Sequence, residues 1–304
     1  MPNGKVTIVG AASSAGAHHA GQERAPAALR AAGFVTRLQA AGIDVADLGD
    51  AAVATFTPDE MAATARSLPA VITAASTVAD AVEAILAEQR LPVVLGGDCT
   101  ITLGVMAGVQ RHDPDAGLLY FDGDADLGTP QDTVSGVLDS MGIGHLLGLA
   151  DNPLARLGPR WPMLTESRLV LFGYDETDPG TYRPSVLNER PGLARFPDHQ
   201  VRADPAGCAA SALAAITAAA GGVVVHFDVD AVDSRDLPLG NFPHYGTGVP
   251  LSAAAGILPV FYRAPGLRAA VLTEVNPSYE PSGAALTRYV DAVAGALAAA
   301  LADS

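Results

Sequence analysis

The sequence predicts an α/β protein with a single domain over residues 1–304, in which a mainly parallel sheet of about eight strands lies between helices. Short runs rich in β-branched residues or leucine alternate with longer alanine- and leucine-rich stretches of helical period, a pattern typical of this fold class. Hydrophobic residues make up 49% of the chain, which is ample for a large core. No serine-, proline- or charge-rich linker divides the chain, so we predict one domain.

Each predicted strand is a short apolar run, and each predicted helix is a longer stretch between two such runs. The clear strands lie at residues 5–10, 44–48, 91–95, 117–121, 168–172, 222–227 and 267–272, with a weaker one at 199–203. The helices are predicted at residues 25–41, 69–89, 100–111, 205–219, 252–262 and 286–302. Ligands of parallel sheets bind beyond the carboxyl ends of the strands, so we expect a functional site at that edge.

Composition narrows the classes of partner. A net charge of -15 argues against nucleic acid, which needs a basic face, and favours either a small cationic substrate or simple solubility. Two cysteines, Cys99 and Cys208, cannot form a disulfide framework, so a reducing compartment such as the cytoplasm is expected. We find no apolar signal segment and no uninterrupted apolar run of the roughly 18 residues that span a bilayer, so no membrane partner is expected.

Acidic residues follow two of the predicted strands at every second position. A third strand ends in the sequence Gly-Gly-Asp-Cys-Thr, which contributes Cys99. Alternate residues of a strand point to the same face, so we expect the thiol and the five carboxylates to converge at one edge of the sheet. Carboxylates packed that closely repel one another unless a cation lies between them, which predicts a polyvalent metal site. The carboxylates belong to Asp122, Asp124 and Asp126 after one strand, and to Asp228 and Asp230 after another.

Four motifs, taken in order, resemble those of a known family. Gly-Gly-Asp-Cys-Thr at 96–100, Asp-Gly-Asp-Ala-Asp at 122–126 and Phe-Asp-Val-Asp-Ala-Val-Asp at 227–233 resemble the three metal-binding motifs of the arginase/agmatinase (ureohydrolase) family. A fourth, Thr-Glu-Val-Asn-Pro at 273–277, resembles the Glu-x-Asn-Pro segment of that family. The resemblance is firm over residues 90–285 and implies the three-layer αβα fold of the arginases.

The resemblance also implies a reaction, a cofactor and an assembly. In the family, two Mn²⁺ ions share a bridging hydroxide that attacks a guanidinium carbon and releases urea, and the members commonly form trimers or hexamers. A guanidinium is a poor electrophile, so its hydrolysis needs a nucleophile that a metal pair makes by lowering the pKa of water. Carried onto this chain, the metal ligands are Asp122 and Asp228 as bridges, Cys99 and Asp126 at the first metal, and Asp124 and Asp230 at the second.

Two further acids are implied as substrate contacts. Glu274 occupies the position whose carboxylate holds the guanidinium in the family, and the planar guanidinium pairs well with a carboxylate. The alternative for Glu274 is a surface residue at a strand end. Asp178 falls where arginases place an acid that contacts the amino end of the substrate, although an Asp-Pro-Gly turn explains Asp178 equally well.

The chain departs from the family pattern at both metal-ligating histidines. Cys99 stands in place of the first, and Asp124 in place of the second. A thiolate and a carboxylate make the metals weaker Lewis acids than two imidazoles do, and raise the pKa of bound water. The alternatives are that Cys99 stays protonated as a buried small residue, or that only one metal binds. The aspartates favour Mn²⁺ or Mg²⁺ and a thiolate favours Zn²⁺ or Fe²⁺, so Mn²⁺ is our first expectation.

Proton transfer and substrate binding differ as well. Asp139 stands where arginases place a proton-shuttling histidine, and we expect it either to carry protons or, slightly favoured, to cap a helix that begins near Ser140. Gly128 replaces the asparagine with which arginases hold the substrate carboxylate, so arginine is less secure as the substrate. His244 is a candidate to take over proton transfer. His226 is interpreted as a core histidine or as a partner of a metal-bound carboxylate.

Two classes of function follow. The leading prediction is a metal-dependent hydrolase of a guanidino or modified guanidino compound, which releases urea or a urea derivative. The alternative is an arginase-fold protein that hydrolyses amide or formimino C–N bonds, or that only binds a small molecule or metal. The two missing ligand histidines motivate the alternative, and assays of urea, ammonia and metal content discriminate the two.

Overall fold

One continuous sheet of eight strands forms the centre of the computed structural model, which describes residues 4–59 and 61–302. The strands are β1 (Lys5–Ser13), β2 (Asp44–Ala54), β3 (Leu91–Leu95), β4 (Gly117–Phe121), β5 (Leu169–Phe172), β6 (Ala194–Phe196), β7 (Val223–Asp228) and β8 (Leu267–Thr273). Their order in the sheet is β2-β1-β3-β8-β7-β4-β5-β6, and neighbouring strands are parallel. The predicted α/β class with an eight-stranded parallel sheet is confirmed.

Helices cover both faces of the sheet. They are α1 (Ala25–Ala31), α2 (Phe34–Ala40), α3 (Leu68–Ala87), α4 (Ile101–His112), α5 (Gly142–Leu146), α6 (Pro184–Asn188), α7 (Asp198–Ala203), α8 (Pro205–Thr217), α9 (Leu251–Tyr262) and α10 (Ala284–Ala302). One core joins α1, α2, α8, α9 and α10 to one face, and a second core joins α3, α4 and α5 to the other. The result is a three-layer αβα architecture.

Central strands are buried on both faces, which explains why their sequences are continuously apolar. In β3, Val93 packs in one core and Val94 in the other. In β4 the same alternation places Leu119 and Leu118 in opposite cores. The polar residues that follow these strands therefore come directly after buried, well-fixed backbone.

Two predicted elements differ from the structure. The strand predicted at 199–203 is wrong, because those residues lie in α7, where Val201 N donates to Pro197 O at 3.1 Å, and the eighth strand is β6 just before it. The helix predicted at 25–41 is divided into α1 and α2. Gly33 adopts a left-handed φ of 90° at the break, a conformation that ends a helix and that glycine tolerates.

By length and composition, α3 and α10 are apolar enough to cross a membrane. In their most apolar windows, 39% and 56% of the residues are buried within the fold. Each helix packs one face into one of the two cores, and the core helices of globular proteins have the same composition. Their apolarity is therefore explained by packing on the sheet.

Candidate metal centre

The segments after β3, β4 and β7 meet at the carboxyl edge of the sheet and bring potential ligand atoms together. The Cys99 Sγ atom lies 2.7 Å from Asp228 Oδ2 and 3.6 Å from Asp122 Oδ2. Further along the edge, His244 Nε2 lies 3.4 Å from Asp124 Oδ2. Within each of two neighbouring groups these atoms lie within 4.8 Å of one another, the first formed by Cys99, Asp122, His226 and Asp228 and the second by Asp124, Asp230 and His244.

The same short turn follows β4 and β7. After β4, Asp124 N donates to Asp122 Oδ1 at 2.7 Å, and after β7, Asp230 N donates to Asp228 Oδ1 at 2.8 Å. Gly123 N joins the two turns by donating to Asp230 Oδ1 at 3.0 Å. One oxygen of each strand-end aspartate is thus tied to backbone, and the second oxygen, Oδ2, is the atom that meets the Cys99 thiol.

Asp126 lines the same cavity but is held differently. Tyr120 Oη donates to Asp126 Oδ2 at 2.6 Å, and Asp126 adopts a left-handed φ of 46°. Such backbone strain in a residue other than glycine is concentrated at functional sites. Asp126 lies outside both compact ligand groups in the described part of the chain, and Tyr120 engages one of its two carboxylate oxygens.

His226 combines the two interpretations of its role. It is fully buried and stacks on Tyr120 with the ring centroids 4.1 Å apart. Its Nδ1 atom lies 2.8 Å from Thr102 Oγ1, and its Nε2 atom lies 3.2 Å from Asp122 Oδ2 and 3.8 Å from Cys99 Sγ. It is therefore a core histidine that also contacts the acidic cluster, and it orients Asp122.

A third group consists of Cys99, Asp139 and Glu274. Asp139 caps no helix: Cys99 N donates to Asp139 Oδ1 at 2.7 Å, and neither the 3₁₀ turn Asp139–Met141 nor α5 after it has a side-chain cap. Glu274 is buried, with a left-handed φ of 63°, so it is not a surface residue. Gln22 Nε2 donates to Glu274 Oε2 at 3.0 Å, whereas Glu274 Oε1 has no partner within the described residues. Gln22 carried no signal in the sequence because no motif surrounds it.

A cavity of about 440 Å³ opens above these groups. Its outer wall includes Gly128, Asp178 and the aromatic side chain of Phe242. A Cβ atom at Gly128 would meet Ser140 O at 2.8 Å, so a longer side chain there would require the Ser140 backbone to shift. His18, to which the sequence assigned no role, also lines the cavity, with its ring 5.2 Å from that of Phe242.

Asp178 is both a turn residue and a cavity residue. Its Oδ1 atom accepts a hydrogen bond from Gly180 N at 2.7 Å, as expected of the Asp-Pro-Gly turn. Its Oδ2 atom lies 3.4 Å from Thr181 Oγ1, and Thr181 Oγ1 donates to Asp124 Oδ1 at 3.0 Å. Thr181 therefore links Asp178 to the acidic cluster, a contact that the sequence pattern did not reveal.

Burial and mutual repulsion dominate the electrostatics of the centre. Burial, followed by the charge of Asp122, raises the pKa of Asp228 to about 6. Burial and then the charges of Asp228 and Asp122 raise the pKa of the Cys99 thiol well above its usual value, so the thiol keeps its proton and donates a hydrogen bond to Asp228. Burial lowers the pKa of His244, but its hydrogen bond to Asp124 and the charge of Asp124 outweigh that effect and raise the pKa to about 9. Burial also leads the rise in pKa of Asp126, Asp139, Asp230 and Glu274.

The donor set fits a divalent metal. The cavity wall carries many carboxylates but only one arginine, Arg183, and that residue pairs with Asp132 within the described chain. The buried Glu274 Oε1 atom has no hydrogen-bond partner among residues 4–59 and 61–302, which is costly unless a cation or donor reaches it. Oxygen-rich donors suit Mn²⁺ or Mg²⁺, and the thiol and imidazoles extend the set towards Zn²⁺ or Fe²⁺.

The parallel eight-stranded sheet between helices, with acidic residues at its carboxyl edge, is an α/β fold of arginase-like architecture. The family model "Arginase family" matches residues 4–300, and the chain belongs to the arginase family. The chain is 31% identical to the arginase of Brevibacillus brevis over 281 residues, which cover 90% of this chain and 91% of that one. The solved arginase of Bacillus caldovelox superposes with a TM-score of 0.85 at 26% identity and covers 97% of this chain and 98% of its own.

A more distant likeness concerns the fold alone. The agmatine ureohydrolase of Thermoplasma volcanium superposes with a TM-score of 0.67 at 16% identity and covers 99% of this chain and 91% of its own. The family model and the Brevibacillus brevis arginase confirm, over nearly the whole chain, the resemblance to the arginase/agmatinase family that four short motifs indicated.

Proposed function

We propose that this protein hydrolyses a C–N bond of a guanidino or modified guanidino compound with the help of bound divalent metal. The observation that carries the proposal is the unpartnered carboxylate oxygen of the buried Glu274, which lines the same cavity as the two ligand groups. A site that offers both metal donors and a free carboxylate suits a cationic, planar substrate group. Membership of the arginase family agrees with this chemistry.

The side chains of the two ligand groups would hold divalent metal, which when bound would lower the pKa of water and polarise the reacting group. The protein side chains that would hold it are Cys99, Asp122 and Asp228 in the first group and Asp124 and Asp230 in the second. Carboxylates outnumber the softer donors, so Mn²⁺ remains the metal we propose.

Glu274 binds and orients the substrate. Its Oε2 atom is held by Gln22, which fixes the plane of the carboxylate and leaves Oε1 to accept from a guanidinium N–H. A charge-assisted hydrogen bond of this kind contributes about 1.5–3 kcal/mol.

Asp139 supplies a proton to the nitrogen that leaves the substrate. Burial, then the charge of Asp98, raises its pKa well above the ordinary value, so the acid stays protonated nearer to neutral pH. A protonated carboxyl beside the substrate-binding carboxylate of Glu274 can donate to the departing nitrogen. The hydrogen bond from Cys99 N to Asp139 Oδ1 fixes its position beside Glu274.

The outer wall favours a guanidino compound other than arginine. At Gly128 the backbone of Ser140 occupies the space in which a longer side chain would reach a substrate carboxylate. Asp178 supplies a negative group near the mouth, which suits a substrate with a second cationic group. Substrates such as alkyl guanidines and amino-alkyl guanidines therefore belong in the first panel, together with arginine.

The test is an assay of urea and ammonia after the Mn²⁺-loaded protein is incubated with that panel. We expect urea from at least one guanidino compound, and none after chelation of the metal. Ammonia without urea would instead support hydrolysis of a formimino or amide bond. No product from any compound, with metal shown to be bound, would contradict the proposal.

A further inference from the structure

We propose that His244 is a metal ligand of the second group, and that it supplies from a loop the imidazole that the strand end lacks at Asp124. This inference rests on the proposed metal-dependent function and refines it. His244 was predicted from the sequence only as a carrier of protons. Its contacts with the acidic edge favour the different role of nitrogen donor to the metal.

The first argument is the position of the ring. His244 Nε2 lies 3.4 Å from Asp124 Oδ2, and its ligand atom lies within 4.8 Å of those of both Asp124 and Asp230. Asp124 Oδ1 is already engaged by Thr181 Oγ1, so Oδ2 is the oxygen that faces the imidazole. Three potential ligand atoms from two strand ends and a loop therefore surround one position, and His244 is 9% exposed.

The second argument is the space that Gly123 leaves for the ring. A Cβ atom at position 123 would lie 2.7 Å from Asp230 O and 3.0 Å from His244 Cδ2. Any larger residue in the Asp-Gly-Asp sequence would therefore push the imidazole away from Asp124 and Asp230. At this strand end Asp124 stands where the family has an imidazole. The neighbouring Gly123 leaves space for the imidazole of His244.

The third argument is that the loop is held in place before any metal binds. Ser234 N donates to His244 O at 2.8 Å, and Gly246 N donates to Asp233 Oδ1 at 3.2 Å. On the other side of the histidine, Asn241 Oδ1 accepts from Asn276 Nδ2 at 3.0 Å. A ligand fixed by its own backbone contacts loses little conformational freedom on binding metal.

The role has a consequence for charge. A neutral imidazole donor adds no negative charge to a group that already holds two carboxylates, so it strengthens binding without further weakening the Lewis acidity of the metal. Nitrogen ligation is measurable without any assay of activity.

The experiment compares His244→Leu with wild type and with His18→Leu, a matched change at a histidine that lines the cavity. Mn²⁺ binding is measured by calorimetry, and nitrogen ligation by the ¹⁴N hyperfine coupling in the electron spin-echo spectrum of bound Mn²⁺. We expect His244→Leu to weaken one site at least about tenfold and to lose a nitrogen coupling, with the other site within about twofold. We expect His18→Leu to bind as wild type does.

A double variant keeps the test decisive if the loop tolerates leucine poorly. Asp124→His in the His244→Leu background returns an imidazole to the strand end, and we expect it to restore at least half of the lost affinity on a logarithmic scale. Unchanged affinity and coupling in His244→Leu would overturn the inference. So would tighter Mn²⁺ binding, because it would show that a protonated His244 occupies the position as the cation.

The inference and the proposed function can fail separately. If wild type binds Mn²⁺ but hydrolyses nothing, the function is wrong while His244→Leu still decides the ligand role. If wild type hydrolyses guanidino compounds and His244→Leu retains wild-type metal affinity, only the inference is wrong. Failure of wild type to bind Mn²⁺ would overturn both.

Discussion

Carboxylates at the two edges of the sheet have different neighbours. At the amino edge, arginines pair with aspartates, as in Arg268 Nε to Asp113 Oδ2 at 3.0 Å and Arg168 Nη2 to Asp115 Oδ1 at 2.8 Å. At the carboxyl edge, buried carboxylates face one another, and the pKa of Asp228 rises to about 6. The unbalanced charge favours the carboxyl edge as the functional one, because the described residues there include buried negative groups that require an outside cation.

The larger of the two cavities lies at the amino edge, so cavity volume alone does not identify the acidic centre. The amino-edge cleft has a volume of about 790 Å³, against about 440 Å³ for the cavity at the carboxyl edge. The larger cleft is lined by Lys5, Arg90 and Arg268 among others, and Arg90 is already bound to Asp44 and to backbone oxygens. Among the described residues, no buried side-chain atom without a hydrogen-bond partner lies in this cleft, in contrast to Glu274 Oε1 at the carboxyl edge.

The largest expected effect follows from Asp228→Asn at the carboxyl edge. Loss of a charged oxygen from the first ligand group should weaken Mn²⁺ binding more than about 100-fold, beyond the range usual for groups that only support a ligand. Urea release at limiting Mn²⁺ should fall to background. Calorimetric titration with Mn²⁺ measures the change, with Asp113→Asn at the amino edge as the matched control. Equal Mn²⁺ affinity in the two variants would remove the distinction between the edges.

Glu274→Gln should affect substrate more than metal. The variant keeps the shape and the contact with Gln22 but loses the charge that meets a guanidinium, so we expect KM to rise about 10- to 100-fold. Bound Mn²⁺, measured by elemental analysis, should stay at the wild-type level. A variant that loses metal while KM is unchanged would place Glu274 among the ligands instead.

The pH dependence of the metal-free protein sharpens the comparison. The pKa of Asp228 is raised from 3.8 to about 6, so folded protein holds this proton more tightly than unfolded protein does. The stability due to this group is therefore full below pH 3.8 and is lost as the pH rises through about 6. Relative to Asp228→Asn, wild type should lose roughly 1–3 kcal/mol of unfolding free energy between pH 4 and pH 7. Urea denaturation of both proteins at each pH measures it, and a pH-independent difference would contradict the assignment.

The smallest effect is expected at the amino edge. Asp113→Asn removes one partner of a pair in which the Arg268 side chain is 36% exposed, so solvent screens most of the interaction. Unfolding free energy should change by less than about 1 kcal/mol, with Mn²⁺ binding unaffected. Urea denaturation at neutral pH is the measurement. A loss of several kcal/mol of unfolding free energy would contradict the prediction, because it would show that solvent does not screen the Arg268–Asp113 pair.

The sequence by itself determined the sheet and the convergence of the acids. Runs such as β3 and β4 are continuously apolar because both of their faces are buried, and their bounds were predicted to the residue. Alternation along a strand and the common direction of parallel strands then fix where Asp122 and Asp228 lie. These are local rules, so they apply without knowledge of the remaining chain. Helix α7, where a strand was predicted, shows the limit of such rules for short polar segments.

Only the tertiary structure decided which other groups meet that edge. Gln22 reaches Glu274 across 252 positions of sequence, and His244 reaches Asp124 across 120. Asp139 meets Cys99 N rather than the helix that follows it. These contacts depend on how loops are packed and on backbone angles that a pattern of residue types does not encode, such as the left-handed φ of Glu274. The sequence therefore predicted the acidic centre, whereas the fold decided that the His244 imidazole and the Gln22 amide contact its carboxylates.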